Sequence, residues 1–415
     1  MKVVQINTVY GTGSTGKIVA ALYNLSNKEG FDAYVTYGRG KSVAENNVKG
    51  ILIGDKLDFL SHVLYNFTTG RNGFASKHNT QRFLKWLDEI NPDIIHLHNI
   101  HGFYIHVGLL FDYIKGNNIP VIWTFHDCWP FTGQCAHFDY AQCNKWQSGC
   151  YKCPIYRTNY PYSIFHDNSK NNYLAKRATF TGVQNLTIVT PSTWLANLAQ
   201  NSFLKEYPVT TIQNGINLEV FSPNAVKSNQ VSSSVLASIK EISRYKILLG
   251  VASVWDNLKG LDYMLKLSTD FNKTNGYQIV LIGLNKKQCK TIQRKYSDKI
   301  IAIERTNNQY ELATWYSSAY VYINPTLQDT FPTTNLEALA CGTPVITFNT
   351  GGSPESLSST CGIVVPKGDY TKLKGAISHL ETAPITSEEC IKQSKLFDQD
   401  IAFSQYINLY KSVFS

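Results

Sequence analysis

The chain has 415 residues, of which 43% are apolar and 17% charged, a balance typical of globular proteins and a length that suits two domains. The formal net charge is +9, but Lys and Arg form no run, which argues against a nucleic-acid-binding protein. No apolar stretch reaches the roughly 18 residues of a transmembrane helix, and Met1–Tyr10 predicts a strand rather than an export signal. We therefore expect a cytoplasmic protein, at most peripheral on the inner face of the membrane.

Two series of apolar, β-branched segments alternate with amphipathic segments such as Thr80–Ile90 and Asp262–Asn272. The first series is Val3–Thr8, Ala33–Tyr37, Asp93–His98, Val121–Phe125, Leu186–Thr190 and Val209–Gln213; the second is Ile247–Ser253, Gln278–Gly283, Ile300–Ile303, Tyr320–Asn324 and Pro344–Phe348. Continuous apolar strands that alternate with helices predict parallel sheets covered on both faces. The sequence thus predicts an α/β protein of two doubly wound, Rossmann-like domains facing across a cleft, 1–215 and 240–395, with a turn-rich boundary between them.

A glycine-rich loop, Gly11–Lys17, follows the first predicted strand and opens a helix. It fits the Gly-x-Gly-x-x-Gly pattern of dinucleotide-binding proteins, but the second strand ends at Arg39 without the acidic residue that this interpretation requires. A P-loop is rejected because Ile18 occupies the position of the magnesium-binding hydroxyl. The loop is either a tight turn or a helix N-terminus near a phosphate, with Gly13 and Ser14 as the contacts.

Histidines follow two strands of the first series. His96, His98 and His101 lie at the end of one strand, and His126 with Asp127 at the end of another. Strand carboxyl ends are where a doubly wound fold presents its active groups. His96 and His98 share one face by alternation, so one of them is a candidate packing residue.

Four cysteines form a Cys-x7-Cys-x6-Cys-x2-Cys pattern within a Cys-rich insertion at about 128–155; they are Cys135, Cys143, Cys150 and Cys153. Without an export signal, cysteines are expected to be reduced thiols or metal ligands. Four thiolates suit a closed, structural zinc site, whereas the unusual spacing equally suits free thiols in a small loop domain. Both interpretations stay open, with Cys128 and His137 as substitute ligands.

The segment Asp329–Pro344 carries the most specific signal. Pro332 suits the first turn of a helix and Gly342 its end, which puts Asp329 in the preceding loop and Glu337 inside the helix. The positive end of such a helix favours a diphosphate, and a carboxylate further along can accept hydrogen bonds from ribose hydroxyls.

This segment resembles the signature of glycosyltransferase family 4, whose members carry two acids separated by seven residues and then Glu-Ala-x-Ala-Cys-Gly-Thr-Pro-Val-Ile. Glu337 is the second acid and the tail matches through Ile346, whereas the first acid is Asp329 instead of Glu. Further matches are Asn214–Asn217, Lys259-Gly260, Gly351–Glu355 and Thr124–Asp127; the phosphate-binding Arg of the family is missing near Ser253. The stretches Pro92–Gly102 and Phe125–Gly133 resemble the members that act in colanic-acid, capsule or exopolysaccharide synthesis.

The resemblance implies a retaining glycosyltransferase of the GT-B fold. It would transfer a hexose or N-acetylhexosamine from a UDP- or GDP-sugar to a saccharide or lipid-linked saccharide, without a catalytic metal or cofactor. The last segment, 396–415, would be a helix crossing back to the first domain. A non-catalytic subunit of this fold and an NAD(P)-dependent oxidoreductase are the alternatives.

Motif and resemblance together assign the site residues. We expect His126 and Asp329 to be catalytic; Gly13, Ser14, Lys259, Phe331, Thr333, Thr334, Glu337, Gly351 and Gly352 to bind the donor nucleotide; and His98, His101 and Asp127 to lie on the acceptor side.

Overall fold

The computed structural model describes residues 1–414 and divides the chain into two compact units. The first unit contains Met1–Gln213 together with the segment from Phe403 onward, and the second contains Asn214–Ala402.

The first unit is built on a seven-stranded parallel sheet. Its strands are β1 (Lys2–Val9), β2 (Asp32–Arg39), β3 (Gly50–Leu52), β4 (Ile94–Leu97), β5 (Val121–Thr124), β6 (Leu186–Thr190) and β7 (Val209–Thr211), in the order β3-β2-β1-β4-β5-β6-β7. Its helices include α1 (Gly13–Lys28), α2 (Lys56–Thr69), α3 (Lys77–Ile90), α4 (Val107–Asn117), α5 (Ser169–Phe180) and α6 (Thr193–Gln200). The winding direction reverses between β1 and β4, so the carboxyl ends of these two strands form the switch point at which doubly wound folds bind ligands.

The second unit repeats this plan with six parallel strands. They are β8 (Lys246–Val251), β9 (Tyr277–Ile282), β10 (Ile300–Ile303), β11 (Val321–Asn324), β12 (Val345–Phe348) and β13 (Gly362–Val365), in the order β10-β9-β8-β11-β12-β13. Its helices are α7 (Ser233–Ile242), α8 (Leu261–Asp270), α9 (Lys286–Tyr296), α10 (Gln309–Ser317), α11 (Thr333–Ala340), α12 (Tyr370–Thr382) and α13 (Ser387–Ser394), and α14 (Gln399–Phe414) begins here. The switch point lies between β8 and β11.

Burial on both faces of the sheets explains why these segments read as continuous apolar runs. Val3 and Val4 of β1 and Ile94 and Ile95 of β4 are fully buried, and the two members of each pair point to opposite faces of the sheet. All the strands predicted from the sequence are present, with ends within two residues of the prediction. Two short edge strands, β3 and β13, were not predicted; they lie at sheet edges, where one side lacks a partner strand and the apolar pattern is weaker.

The turn-rich segment after residue 213 packs as part of the second unit. Ile216 forms an isolated parallel bridge with Asp398, and its side chain is buried with Phe221 and Ala225 in the core of that unit. The segment from Phe403, by contrast, packs into the first unit. Within residues 1–414, the structure contains no helix that is both long enough and apolar enough to cross a membrane.

Candidate active site

Three neighbouring loops at the carboxyl edge of the second sheet carry predicted site residues. Lys259 follows β8, Asp329 follows β11 and Gly351 follows β12, and these strands lie side by side in the order β8-β11-β12. Because the strands are parallel, their following loops meet at one edge of the sheet. Topology alone therefore gathers residues that are far apart in the sequence.

Lys259 and Asp329 form an ion pair at this edge. The Lys259 Nζ lies 2.7 Å from the Asp329 Oδ2, and the two side chains are 36% and 18% exposed. The other carboxylate oxygen, Oδ1, accepts the backbone N–H of Phe331 at 3.2 Å. The first acid of the predicted motif is thus held between a cation and the chain that leads into α11.

The loop after β12 requires glycine where it meets the Asp329 backbone. Gly351 has φ +55°, and a Cβ built there would lie 1.8 Å from the Asp329 carbonyl oxygen. That oxygen accepts the N–H of Gly352 at 3.3 Å. The two predicted glycines therefore fix the position of the loop that carries Asp329.

Helix α11 begins at Thr333, with Pro332 at the N-cap in an extended conformation and no side-chain cap. Backbone N–H groups in the first turn of a helix lack intrahelical partners and attract anions. Thr333 and Thr334 are partly exposed at this end. Pro332 thus lies one position before the helix instead of in its first turn, which leaves the predicted location of the anion site unchanged.

The side chain of Phe331 is a correction to the predicted donor-binding set. It is 3% exposed, and its ring lies 5.8 Å from that of Phe397 in the core of the second unit. Its backbone N–H is used by Asp329, and its carbonyl accepts the Asn214 side-chain amide at 3.3 Å. The Phe331 side chain therefore anchors the loop through packing and offers no surface to a ligand.

Glu337 is positioned by Tyr316, which the sequence did not single out. The Tyr316 hydroxyl donates to the Glu337 Oε2 at 3.1 Å. Burial and the neighbouring Glu337 charge raise the pKa of Tyr316 well above its usual value, so its hydroxyl stays a donor at all physiological pH values. One oxygen of the predicted ribose-binding carboxylate is thereby held by a buried tyrosine.

A buried cluster of hydrogen-bonded polar side chains around Asn335 connects the segments that carry the site residues. The Asn335 Oδ1 accepts from the Asn324 amide at 2.8 Å, and its Nδ2 donates to the hydroxyls of Ser356 at 3.0 Å and Ser353 at 3.2 Å. Ser353 in turn lies 2.7 Å from the Thr347 hydroxyl. The cluster links the end of β11, helix α11 and the turn that follows Gly352, so the three parts of the site share one rigid base.

In the first unit, the glycine-rich loop follows β1 at the switch point. Gly11 and Gly13 have φ values of +67° and +63°, and the Gly11 N–H donates to the Gly16 carbonyl at 2.9 Å. Gly13 and Ser14 are exposed at the start of α1, where Thr12 makes no side-chain cap. The loop is therefore a tight turn, and the N-terminus of α1 that follows it is exposed to solvent. The structure is compatible with both interpretations of the sequence, the tight turn and the helix N-terminus near a phosphate.

His98 and His126 lie together at the ends of β4 and β5. The His98 Nδ1 is 3.1 Å from the His126 Nε2, and the rings stack at 5.4 Å with an interplanar angle of 13°. The His98 Nε2 lies 3.3 Å from the Gln5 Oε1, an acceptor, so His98 carries its proton on Nε2 and His126 donates to Nδ1. Burial lowers the pKa of His126 to about 4 and that of His98 well below its usual value, so both rings are neutral at pH 7.

His96 is the packing residue of the His96–His98 pair. It is fully buried, its Nδ1 lies 2.6 Å from the Tyr410 hydroxyl, and its Nε2 lies 2.8 Å from the Thr124 hydroxyl. The Thr124 hydroxyl donates in turn to Tyr406 at 3.2 Å. Both tyrosines belong to α14, so the end of the described chain completes the histidine cluster of the first unit.

His101 and Asp127 form a second, buried pair. The His101 Nε2 lies 2.8 Å from the Asp127 Oδ2, and its Nδ1 lies 3.2 Å from the Tyr160 hydroxyl. The Asp127 Oδ1 accepts the Trp129 N–H at 2.8 Å. Burial acts to raise the pKa of Asp127, but the charge and hydrogen bond of His101 outweigh it and hold the pKa at about 2. Asp127 is thus ionised and orients His101.

The four predicted cysteines line one small cavity of about 20 Å³ in the first unit. Cys150 accepts the Gly133 N–H through its Sγ at 3.1 Å, and burial raises the pKa of Cys150 and of Cys153 to about 11. Within residues 1–414, however, no group of three or more His, Cys, Asp or Glu side chains is arranged to hold a metal ion. A zinc site at these four cysteines therefore stays a prediction.

Comparison with known proteins places these features in a family context. Residues 18–220 match the family model described as "Glycosyltransferase Family 4", and residues 245–382 match "Glycosyl transferases group 1". WcaC of Escherichia coli K12, named as a colanic acid biosynthesis glycosyl transferase, is 21% identical over the full length of both chains. A D-inositol 3-phosphate glycosyltransferase of Streptomyces bingchenggensis is 44% identical over 15% of each chain.

Solved structures share the fold at low identity. Sucrose-phosphate synthase of Thermosynechococcus elongatus matches with a TM-score of 0.71 and 15% identity over 100% of this chain and 99% of its own. HepE of Anabaena in complex with UDP matches with a TM-score of 0.67 and 12% identity over 99% and 100%. Both units are Rossmann-like, and the family matches cover most of each. The chain is therefore a glycosyltransferase of the GT-B fold.

Proposed function

We propose that this glycosyltransferase moves a hexose or N-acetylhexosamine from a UDP- or GDP-sugar to a lipid-linked saccharide, with retention of the anomeric configuration, during surface polysaccharide synthesis at the inner face of the membrane. The observation that carries the donor half is the Lys259–Asp329 pair beside the open N-terminus of α11, with Glu337 one turn further along the helix. This arrangement offers a cation, backbone donors and a carboxylate to one nucleotide diphosphate.

Each group has a distinct role in binding the donor. Lys259 and the first-turn amides of α11 neutralise the diphosphate, and Glu337 accepts hydrogen bonds from the ribose hydroxyls. Asp329 then exchanges its bond with Lys259 for hydroxyls of the donor sugar. HepE was solved with UDP and with UDP-glucose, a donor class that fits this chemistry.

The transfer step needs no catalytic metal in this proposal. The bond between the sugar carbon and the leaving phosphate oxygen breaks, the acceptor hydroxyl bonds to the same face of that carbon, and its proton passes to the departing phosphate. Lys259 stabilises the negative charge that develops on this phosphate. His126, neutral at pH 7, contributes a ring nitrogen as a hydrogen-bonding partner for the donor sugar.

A binding panel tests the proposal directly. Thermal shift with UDP-, GDP- and ADP-sugars should identify at least one donor that stabilises the protein. Glu337→Gln should weaken that donor, whereas Glu388→Gln, on the exposed first turn of α13, should not. Absence of any stabilising nucleotide-sugar would contradict the proposal, and donor binding without turnover on any acceptor would identify a non-catalytic subunit.

A further inference from the structure

Arg39, the last residue of β2, is a cation without a partner in the described part of the chain. Its side chain is partly exposed, and it forms no ion pair with any Asp or Glu among residues 1–414. Its guanidinium N–H groups donate no hydrogen bond within these residues. A guanidinium carries five donors in a planar fork that matches a carboxylate or a phosphate. Arg39 therefore has its full capacity to bind an anion available to a ligand.

The Arg39 side chain is held in place by an aromatic ring. Its guanidinium carbon lies over the Phe59 ring of α2, 4.9 Å from the ring centre. This cation–π contact uses the charge and not the N–H groups, so all five donors stay available. Because a side chain that is already ordered loses less conformational entropy when it binds, this contact prepares Arg39 to bind an anion.

Aromatic contacts connect Arg39 with the acceptor-side residue His101. The Phe59 ring lies 6.2 Å from the Phe103 ring, which lies 5.9 Å from the Tyr160 ring. The Tyr160 hydroxyl in turn lies 3.2 Å from the His101 Nδ1. Phe103 has φ +66°, a left-handed conformation that is rare for an aromatic residue and that recurs in ligand-binding segments. Arg39 and His101 therefore border one aromatic cluster whose backbone is held in an unfavourable conformation.

The acids near this cluster do not neutralise Arg39. Burial raises the pKa of Tyr160, the Arg39 charge opposes that shift and the Asp127 charge adds to it, so both charges act on the same hydroxyl. Both oxygens of Asp127 are already engaged, one by a histidine ring and the other by a backbone N–H. At the start of α2, Asp55 accepts the Asp58 N–H at 2.9 Å, and neither of these acids forms an ion pair with Arg39. The positive charge of Arg39 is therefore left for a ligand to balance.

The location of Arg39 indicates an anion on the acceptor rather than on the donor. In the proposed function, Lys259 and the N-terminus of α11 in the second unit already bind the donor diphosphate. Arg39 lies in the first unit, on the same aromatic cluster as His101, which is expected on the acceptor side. An arginine at the end of the second strand is also what Rossmann-like domains use to bind the 2′-phosphate of NADP, so that cofactor is the rival ligand.

We propose that Arg39 binds an anionic group of the saccharide acceptor, a carboxylate or a phosphate, and so selects acceptors that carry one. The anion site itself is independent of the proposed function, whereas its assignment to the acceptor rests on that function. A uronic acid would supply the carboxylate, and a sugar phosphate or a lipid-linked diphosphate would supply the phosphate.

NMR titrations at low ionic strength test the site with glucuronate, glucose 1-phosphate and uncharged glucose. Wild-type protein should bind at least one of the two anionic sugars about tenfold or more tightly than glucose. Arg39→Gln should abolish this preference, and Arg39→Lys should keep part of it, because lysine retains the charge but not the planar fork. The control Arg177→Gln, at an exposed position in the last turn of α5, should bind like wild type.

The two anionic sugars also identify the source of the anion. Tighter binding of glucuronate indicates an acceptor with a uronic acid, and tighter binding of glucose 1-phosphate indicates a phosphorylated acceptor. Because glucose 1-phosphate can also contact Lys259, its binding supports the site only where Arg39→Gln weakens it and Lys259→Ala does not. An unchanged melting temperature shows that Arg39→Gln is folded.

Three results would overturn the anion site. They are wild-type protein that binds neither anionic sugar more tightly than glucose, an anion preference that survives Arg39→Gln, and Arg39-dependent binding of NADP⁺ but of neither anionic sugar. Arg39-dependent binding of an anionic sugar in a protein that binds no nucleotide-sugar would support the anion site and refute the proposed function, together with the assignment of the anion to an acceptor.

Discussion

Replacing Lys259 by alanine is the sharpest test of the donor site. The substitution removes the cation that lies 2.7 Å from Asp329 and leaves this carboxylate beside the expected position of the diphosphate. Two losses follow, since the phosphates lose an attractive partner and gain an uncompensated negative neighbour. Both act on the diphosphate and neither acts on the nucleoside.

The expected loss of diphosphate affinity can be estimated from the solvent exposure of the Lys259–Asp329 pair. A hydrogen bond to a charged group contributes about 1.5–3 kcal/mol, which corresponds to a factor of about 10–150 in Kd. Because 36% of the Lys259 side chain is exposed, solvent screening places its own contribution near the lower limit, about tenfold. Adding Asp329→Asn should recover part of the loss, because the repulsion is then removed.

Isothermal titration with UDP, GDP and their nucleosides measures this effect. Lys246→Ala is a matched control, since Lys246 pairs with Glu381 at 2.5 Å but begins β8, at the opposite edge of the sheet from Lys259. Lys259→Ala should weaken a diphosphate and spare its nucleoside. Diphosphate affinities that are equal in Lys259→Ala and Lys246→Ala would refute the assignment.

Three further predictions concern the fold and the cysteines. Gly351→Ala places a Cβ 1.8 Å from the Asp329 carbonyl and should lower the free energy of unfolding, measured by urea denaturation, by about 2 kcal/mol or more. The control Gly375→Ala, whose Cβ would have nothing within 4 Å, should leave it unchanged. Equal losses in the two variants would contradict the geometry. Burial lowers the pKa of His62 and His96 to about 3, so only the unfolded chain gains their protons below about pH 6.5; these two residues alone should lower the free energy of unfolding by about 4 kcal/mol between pH 7 and pH 5, and His98 and His126 act in the same direction. A free energy of unfolding that stays constant in urea titrations at the two pH values would show otherwise. Elemental analysis decides between the two interpretations of the four loop cysteines: about one zinc per chain, lost when they become serine, would identify a structural zinc site, and metal-free protein with four alkylatable thiols would identify a plain thiol cluster.

The sequence predicted the fold well because buried parallel strands are continuous apolar runs. Two separate resemblances assigned Asp329 and the glycines after β12 to the donor site, and the structure brings Gly351 against the Asp329 backbone. The ion pair with Lys259 spans 70 positions and depends on which strands become neighbours, which local patterns do not specify.

The roles of some other residues could not be predicted from the sequence, because they depend on tertiary packing. Tyr316 and Asn335 look like ordinary helix residues, and their roles arise only from what burial places opposite them. Phe331 was assigned to the ligand because it lies within the motif, but packing against Phe397 takes its ring into the core. Alternation correctly put His96 and His98 on one face, and only the contacts with α14 tell which is the packing residue.

The α14 tyrosines have a consequence for how the protein is made. Tyr406 and Tyr410 are buried in the first unit, yet the ribosome adds them only after the whole second unit has been synthesised. Until then His96 lacks the hydroxyl that satisfies its Nδ1, and the cavity for the two tyrosine rings stays open. Domains usually fold in the order of their synthesis. Here the amino-terminal unit cannot complete its core until α14 has been synthesised. A nascent chain stalled before residue 403 should therefore carry an incomplete histidine cluster that chaperones can recognise.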